Sequence, residues 1–147
     1  MFNFDDSSWR EKTTSLYLLS QAICFVPYFI YLSLQQNQQL PMLQQILGYG
    51  ITAISQLLIL GCGYLWLRRR FADEARQQPD VRDQLIEQQA TRVAYGVLMT
   101  GTILVGCIMP FSDPPQRIFQ SAVFFLVLSE ATRNILVLRA YRQGRAA

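Results

Sequence analysis

Histidine is missing altogether from the 147 residues. Its absence removes the commonest general base near neutral pH and the commonest haem or metal ligand. Lysine is nearly missing too: Lys12 stands alone, so the net charge of +3 is carried by arginine. Cysteine is scarce. Cys24, Cys62 and Cys107 lie in three different apolar stretches without a C-x-x-C pair, which leaves no zinc or thiol-redox motif. They read as small buried hydrophobes. The apolar stretches also lack a pair of carboxylates or an activated nucleophile, so hydrolysis or quinone chemistry has nothing to work with. The expectation is a protein that is not an enzyme and holds neither metal nor cofactor. Arginines interleaved with aromatics, the pattern that stacks on single strands, are absent outside the apolar stretches. Nucleic acid is therefore not an expected partner.

What the chain does have is apolar residues gathered into blocks, diluted in the average by sixteen glutamines. Four blocks stand out, at about residues 14–34, 45–67, 93–111 and 118–138. An apolar helix of about 20 residues spans the hydrocarbon core of a bilayer, and each block is of that order. The first is longer than a signal-peptide core, keeps bulky aromatics to its end and has no A-x-A site, so it reads as a retained helix, kinked at Pro27. The second closes on Trp66 and the triplet Arg68, Arg69 and Arg70, the signature of a helix end at the headgroups. The third contains Ala94, Gly96, Gly101 and Gly106, small residues that let membrane helices approach closely. Between the first two blocks a charge-free Gln run with Pro41 reads as a turn, as does SDPPQR between the last two. Residues 68–92 form the one sizeable polar segment. From Pro79 onward nothing breaks a helix, so a cytoplasmic helix is expected to run straight into the third block.

Charge placement sets the orientation. Arg10 and Lys12 precede block one; Arg68, Arg69, Arg70, Arg76, Arg82 and Arg92 join blocks two and three; Arg139, Arg142 and Arg145 follow block four. Of the two others, Arg117 lies in the last turn and Arg133 inside block four. Cytoplasmic loops carry the excess of basic residues. The expected fold is all-α: a single integral-membrane domain over 1–147, a four-helix bundle with both termini and the 68–92 segment in the cytoplasm.

Inside block four, Glu130, Arg133 and Asn134 fall at i, i+3 and i+4 on one helix face. A charge at the bilayer centre costs about 2.5–3.5 kcal/mol on insertion scales, and a Glu130–Arg133 pair would lower that cost. Glu130 lies nine residues before Arg139, so roughly 13 Å deep at 1.5 Å per residue, while Arg133 is shallow enough to snorkel. Gln21, Gln56 and Thr100 sit at comparable depths on the other blocks. These six residues make a candidate polar layer. It acts either as glue between helices or as a proton, cation or ligand site. In the polar segment, Val81, Leu85 and Ile86 give the expected helix an apolar edge, a candidate surface for a protein partner.

The layout resembles an uncharacterised family of small four-helix bacterial membrane proteins. Its aromatic-acidic-Lys start corresponds to WREKT at Trp9 to Thr13. Its Asp-Glu-Arg motif and spaced Ile before helix three correspond to Asp80, Val81 (in place of Glu), Arg82 and Ile86, leading into Ala94, Tyr95 and Gly96. Its polar residue in helix four and its aromatic-Arg tail correspond to Glu130 and YRQG. The resemblance implies a multipass protein of the bacterial inner membrane, in company with helix-turn-helix regulators often encoded beside such proteins. The expected function is a non-enzymatic module that regulates or anchors a protein partner from the bilayer. The alternatives are a small transporter or channel subunit using Glu130, or an accessory subunit of a larger membrane complex. A homo-oligomer is compatible with each.

Overall fold

The computed structural model describes residues 9–35, 41–72 and 81–143. All its regular structure is helical: α1 Trp9–Leu34, α2 Met42–Arg70, α3 Val81–Ile103 and α4 Pro115–Gln143. Every apolar block lies within a longer helix than its hydropathy alone marks out, because the flanking polar residues carry no breaker. All four helices are long and apolar enough to cross a membrane, counting α3 through to Phe111. By length and composition the chain thus has four candidate membrane spans, which suggests a multipass membrane protein. It divides into two compact units, Met1–Pro79 and Asp80–Ala147, each containing one helical hairpin.

In the first hairpin α1 continues through Pro27 without interruption. It runs antiparallel to α2: Leu16 touches Gly63, and further along Tyr28 touches Gly48. A Cβ at Gly63 would lie 2.7 Å from a Leu16 methyl carbon, so this glycine permits the close approach. Phe25, Tyr28, Phe29 and Tyr49 form an aromatic cluster with ring centroids 5.4–6.3 Å apart, a spacing favourable for edge and tilted contacts. Little of α2 is covered. Ile51, Ile54, Leu57, Leu58 and Leu65 are all exposed, which suits a helix surrounded by lipid rather than water.

The polar end of this hairpin is built differently. Lys12, only 1% exposed, places its Nζ 3.6 Å from the centre of the Phe71 ring. Arg70 lies over both Trp66 and Phe71, and Trp9 meets Tyr64 edge-on at 5.9 Å. Aromatic faces attract cations, so the basic residues that mark the end of the spans also pack there.

In the second hairpin the contact is closest at Gly101. A Cβ there would fall 2.5 Å from the Phe125 Cβ, so only glycine fits. Ala90 and Ala94 are buried along the same helix. Gly96 and Gly106, expected as packing positions, have nothing within 4 Å of an added Cβ and are exposed. Small size lets a neighbour approach but does not place one there. After Ile103 the helix widens into a π-turn over Leu104–Ile108 and then tightens into a 3₁₀ turn over Met109–Phe111. The expected turn follows: the Ser112 and Asp113 amides both donate to the Met109 carbonyl, and α4 starts on Pro115, whose fixed φ suits a first helical position. The expected helical run into block three is present from Val81; Pro79, Asp80, Arg76 and Arg145 lie outside the described residues.

Candidate functional site

The expected polar layer divides between the two hairpins. In the first, Leu16 and Gly63 are level and the helices are antiparallel, so Gln21 and Gln56 stand at about the same depth. Gln21 is buried and Gln56 half-buried. Gln45 and Ser20 are buried as well, two polar positions the hydropathy pattern did not single out. The Tyr28 hydroxyl is buried without a hydrogen-bond partner among the described residues.

Hydroxyl groups are mostly satisfied by their own helices. The Thr100 Oγ1 donates to the Gly96 carbonyl at 2.9 Å, Thr52 to Gly48 at 2.8 Å, Thr132 to Leu128 at 2.7 Å and Ser129 to Leu126 at 2.9 Å. Such back-bonds replace an interhelical partner. Thr100 is also exposed, so it makes no polar bridge to α4.

The ion pair in block four is not the one expected. Arg133 binds Glu87 of α3, with its Nη2 2.5 Å from Oε1, and does not pair with Glu130. Glu130 is exposed and has no hydrogen bond or ion pair among the described residues. Position i+3 on a helix brings two side chains near each other, but an arginine can choose any acid within its reach. With Gly101 level with Phe125, position 133 stands opposite residue 93. Its partner Glu87 is six residues nearer the polar end, roughly 9 Å at 1.5 Å per residue. The Arg133 guanidinium therefore reaches toward the charged end of the hairpin, where a carboxylate holds it.

The same register revises the depth of Glu130. Counted along α4 it lies well inside the apolar block, but it is level with about Gly96, only three residues past the start of the apolar part of α3. That is roughly 5 Å at 1.5 Å per residue. Asn134, one turn on, is buried. A second polar link joins the helices nearer their ends, where the Tyr141 hydroxyl donates to Asp83 Oδ1 at 2.8 Å. Glu87 and Asp83 carry no signal in the sequence, since mixed charges in a polar segment are more often a solvated face, and Tyr141 stands out there only as part of YRQG. At the opposite end of this hairpin Arg117 pairs with Asp113 at 3.3 Å, which neutralises the one basic residue expected on the far side.

The apolar edge of the polar segment also divides. Val81 and Leu85, one turn apart, are 70% and 53% exposed. Ile86 turns the other way and lines a groove of about 320 Å³ between α3 and α4, with Val93 and Leu136. Of the cysteines, Cys24 is half-buried while Cys62 and Cys107 are exposed. Two of the three expected buried hydrophobes therefore face outward, which an apolar residue in a lipid-facing span can do. Among the described residues no three His, Cys, Asp or Glu side chains could share a metal ion. No family model, curated protein or solved structure matches this chain.

Proposed function

We propose that this chain is a non-enzymatic membrane module that anchors or regulates a protein partner through the polar end of its second hairpin, on the cytoplasmic side of a bacterial inner membrane. The observation that carries the reading is the exposure of Val81 and Leu85. They occupy the stretch of α3 that precedes its apolar span, where water, not lipid, is the surrounding medium. Two large aliphatic side chains one turn apart on a water-facing helix form the kind of ridge that a partner covers. The orientation is supported by the basic residues gathered at one end of each hairpin, with Arg117 at the other end already paired.

A second reading is favoured by Glu130. Without Arg133 it is an unneutralised carboxylate on an apolar helix, and intramembrane acids of that kind mark ion or proton sites or contacts with further subunits. A transporter subunit or a piece of a larger complex would use it.

Two measurements on one set of membranes test the proposal. In a background lacking Cys24, Cys62 and Cys107, an impermeant maleimide should label Ser112→Cys in intact cells and Gln143→Cys only after lysis. In mild detergent the chain should bring down a soluble protein, and Leu85→Asp should abolish that recovery while membrane insertion and melting temperature stay unchanged. Equal recovery by Leu85→Asp would sink the partner-surface reading, and external labelling of Gln143→Cys would sink the orientation.

A further inference from the structure

We propose that the side of α3 turned away from α4 is a docking strip for an acidic amphipathic helix of a soluble partner, whose apolar residues cover Val81 and Leu85 and whose carboxylates meet Arg92 and Arg82. The proposal rests on the partner-surface reading of Val81 and Leu85 and adds to it the chemistry of the partner.

The polar part of α3 sorts its charges by side. Asp83 and Glu87, one turn apart, both turn toward α4, where they hold Tyr141 and Arg133. Each residue of an α-helix advances by about 100°, so Val81 and Leu85, two residues before and after Asp83, fall on the opposite side. Arg92, nine residues beyond Asp83, returns to that same side, and Arg82 lies on its flank. All four are exposed. Neither arginine has an ion pair or hydrogen bond among the described residues, and both described acids of α3 point the other way. The strip therefore combines two aliphatic side chains with two uncompensated guanidinium groups.

The position of the strip selects among occupants. Arg92 directly precedes the apolar part of α3, and Leu85 and Val81 stand seven and eleven residues further out, roughly 10 and 16 Å at 1.5 Å per residue. The headgroup layer of one leaflet is roughly 5–7 Å deep, so the two aliphatic side chains clear it. An interfacial helix lies in the membrane plane, whereas α3 runs unbroken from Val81 to Ile103 into the span and does not lay them on lipid. A second copy of this chain is disfavoured by charge, because the same strip would bring its own Arg82 and Arg92 against these. The complementary surface is a helix with two apolar residues one turn apart and a carboxylate about two turns further on, matching the seven-residue step from Leu85 to Arg92. Amphipathic helices dock through anchors spaced by one turn, and a carboxylate accepts paired hydrogen bonds from a guanidinium.

The test places a benzophenone amino acid at Gln88, exposed on this strip between Leu85 and Arg92, in the full chain in the cells that produce it, and identifies the crosslinked peptide by mass spectrometry. The expected result is a crosslink to one soluble protein, within a segment that carries two apolar residues one turn apart and an acid about two turns on. Arg92→Glu should lower the yield about fivefold, the upper value of an exposed ion pair. Changing the partner's acid to Arg should then restore it, which separates a lost contact from lost folding. Arg139→Glu, the same charge change at an exposed position of α4, should leave the yield unchanged. A protein crosslinked through a segment without acids, or with a yield indifferent to Arg92→Glu, would overturn the acidic-helix proposal and leave the partner surface standing. A crosslink to a phospholipid or to a second copy of the chain would overturn it in favour of that occupant. No crosslink at Gln88 would overturn it too; if recovery of a soluble protein is then also insensitive to Leu85→Asp, the partner surface itself falls.

Discussion

The two hairpins meet the same problem, charged side chains at the ends of apolar helices, with different chemistry. The first covers Lys12 with an aromatic ring and surrounds Arg70 with Trp66 and Phe71. The second ties α3 to α4 through an ion pair and a phenol–carboxylate hydrogen bond. The comparison shows that a basic residue near the end of an apolar helix can be held by an aromatic face as well as by a carboxylate. An aromatic partner leaves a surface that stays apolar. A carboxylate partner leaves one that stays polar and open to exchange, and it is on the second hairpin that Leu85 and Arg92 are presented.

The difference can be broken at its tightest point first. Gly101→Leu should lower the stability of the second hairpin by about 1–3 kcal/mol, the usual cost of overpacking, because the new side chain meets the backbone-proximal carbon of Phe125. Gly96→Leu, with open space around it, should leave the melting temperature in detergent unchanged. Equal effects of the two would show that the helices are not in the register described. At the polar end of the first hairpin, a double-mutant cycle of Lys12→Met and Phe71→Leu should return a coupling of about 0.5–2 kcal/mol. A coupling indistinguishable from zero would mean that the ring merely fills space beside the ammonium.

The smallest effect decides most about the polar site. The Arg133 and Glu87 side chains are 43% and 46% exposed, so a cycle of Arg133→Leu with Glu87→Gln should give only about 0.2–1 kcal/mol, the value of partly solvated pairs. The same cycle with Glu130→Gln in place of Glu87→Gln should give none. Coupling to Glu130 and not to Glu87 would restore the pairing that helical spacing alone implies.

Four spans, their approximate limits and the gathering of basic residues at the ends were legible in the sequence, because length, hydropathy and charge are properties of the linear chain. The run of α3 from the polar segment into its apolar part was legible for the same reason, since nothing from Val81 onward interrupts a helix. The partner of Arg133 was not. Glu130 is three residues away and Glu87 is forty-six, and only the register set by Gly101 against Phe125 brings the distant acid into reach. Depth failed in the same manner. Counting along α4 measures a helix against itself, whereas the medium around Glu130 is also set by how far the polar part of α3 rises beside it. Gly96 and Gly106 show the converse error: composition identifies where a neighbour could come close, not where it does.

The π-turn at Leu104–Ile108 has a consequence for how α3 tolerates change. A widened turn holds one residue more than an α-turn needs, and each residue of an α-helix turns by about 100°. Side chains before Leu104 and after Ile108 are therefore out of phase by that angle, and the sequence can hold a one-residue length change there. Deleting Gly106, where an added Cβ would meet nothing within 4 Å, should convert the turn to plain α-helix and re-aim Met109 and Phe111 without disturbing Gly101 against Phe125. A scan of lipid-facing positions along α3 should then show one continuous stripe, where the native chain shows two offset stripes that meet at Leu104.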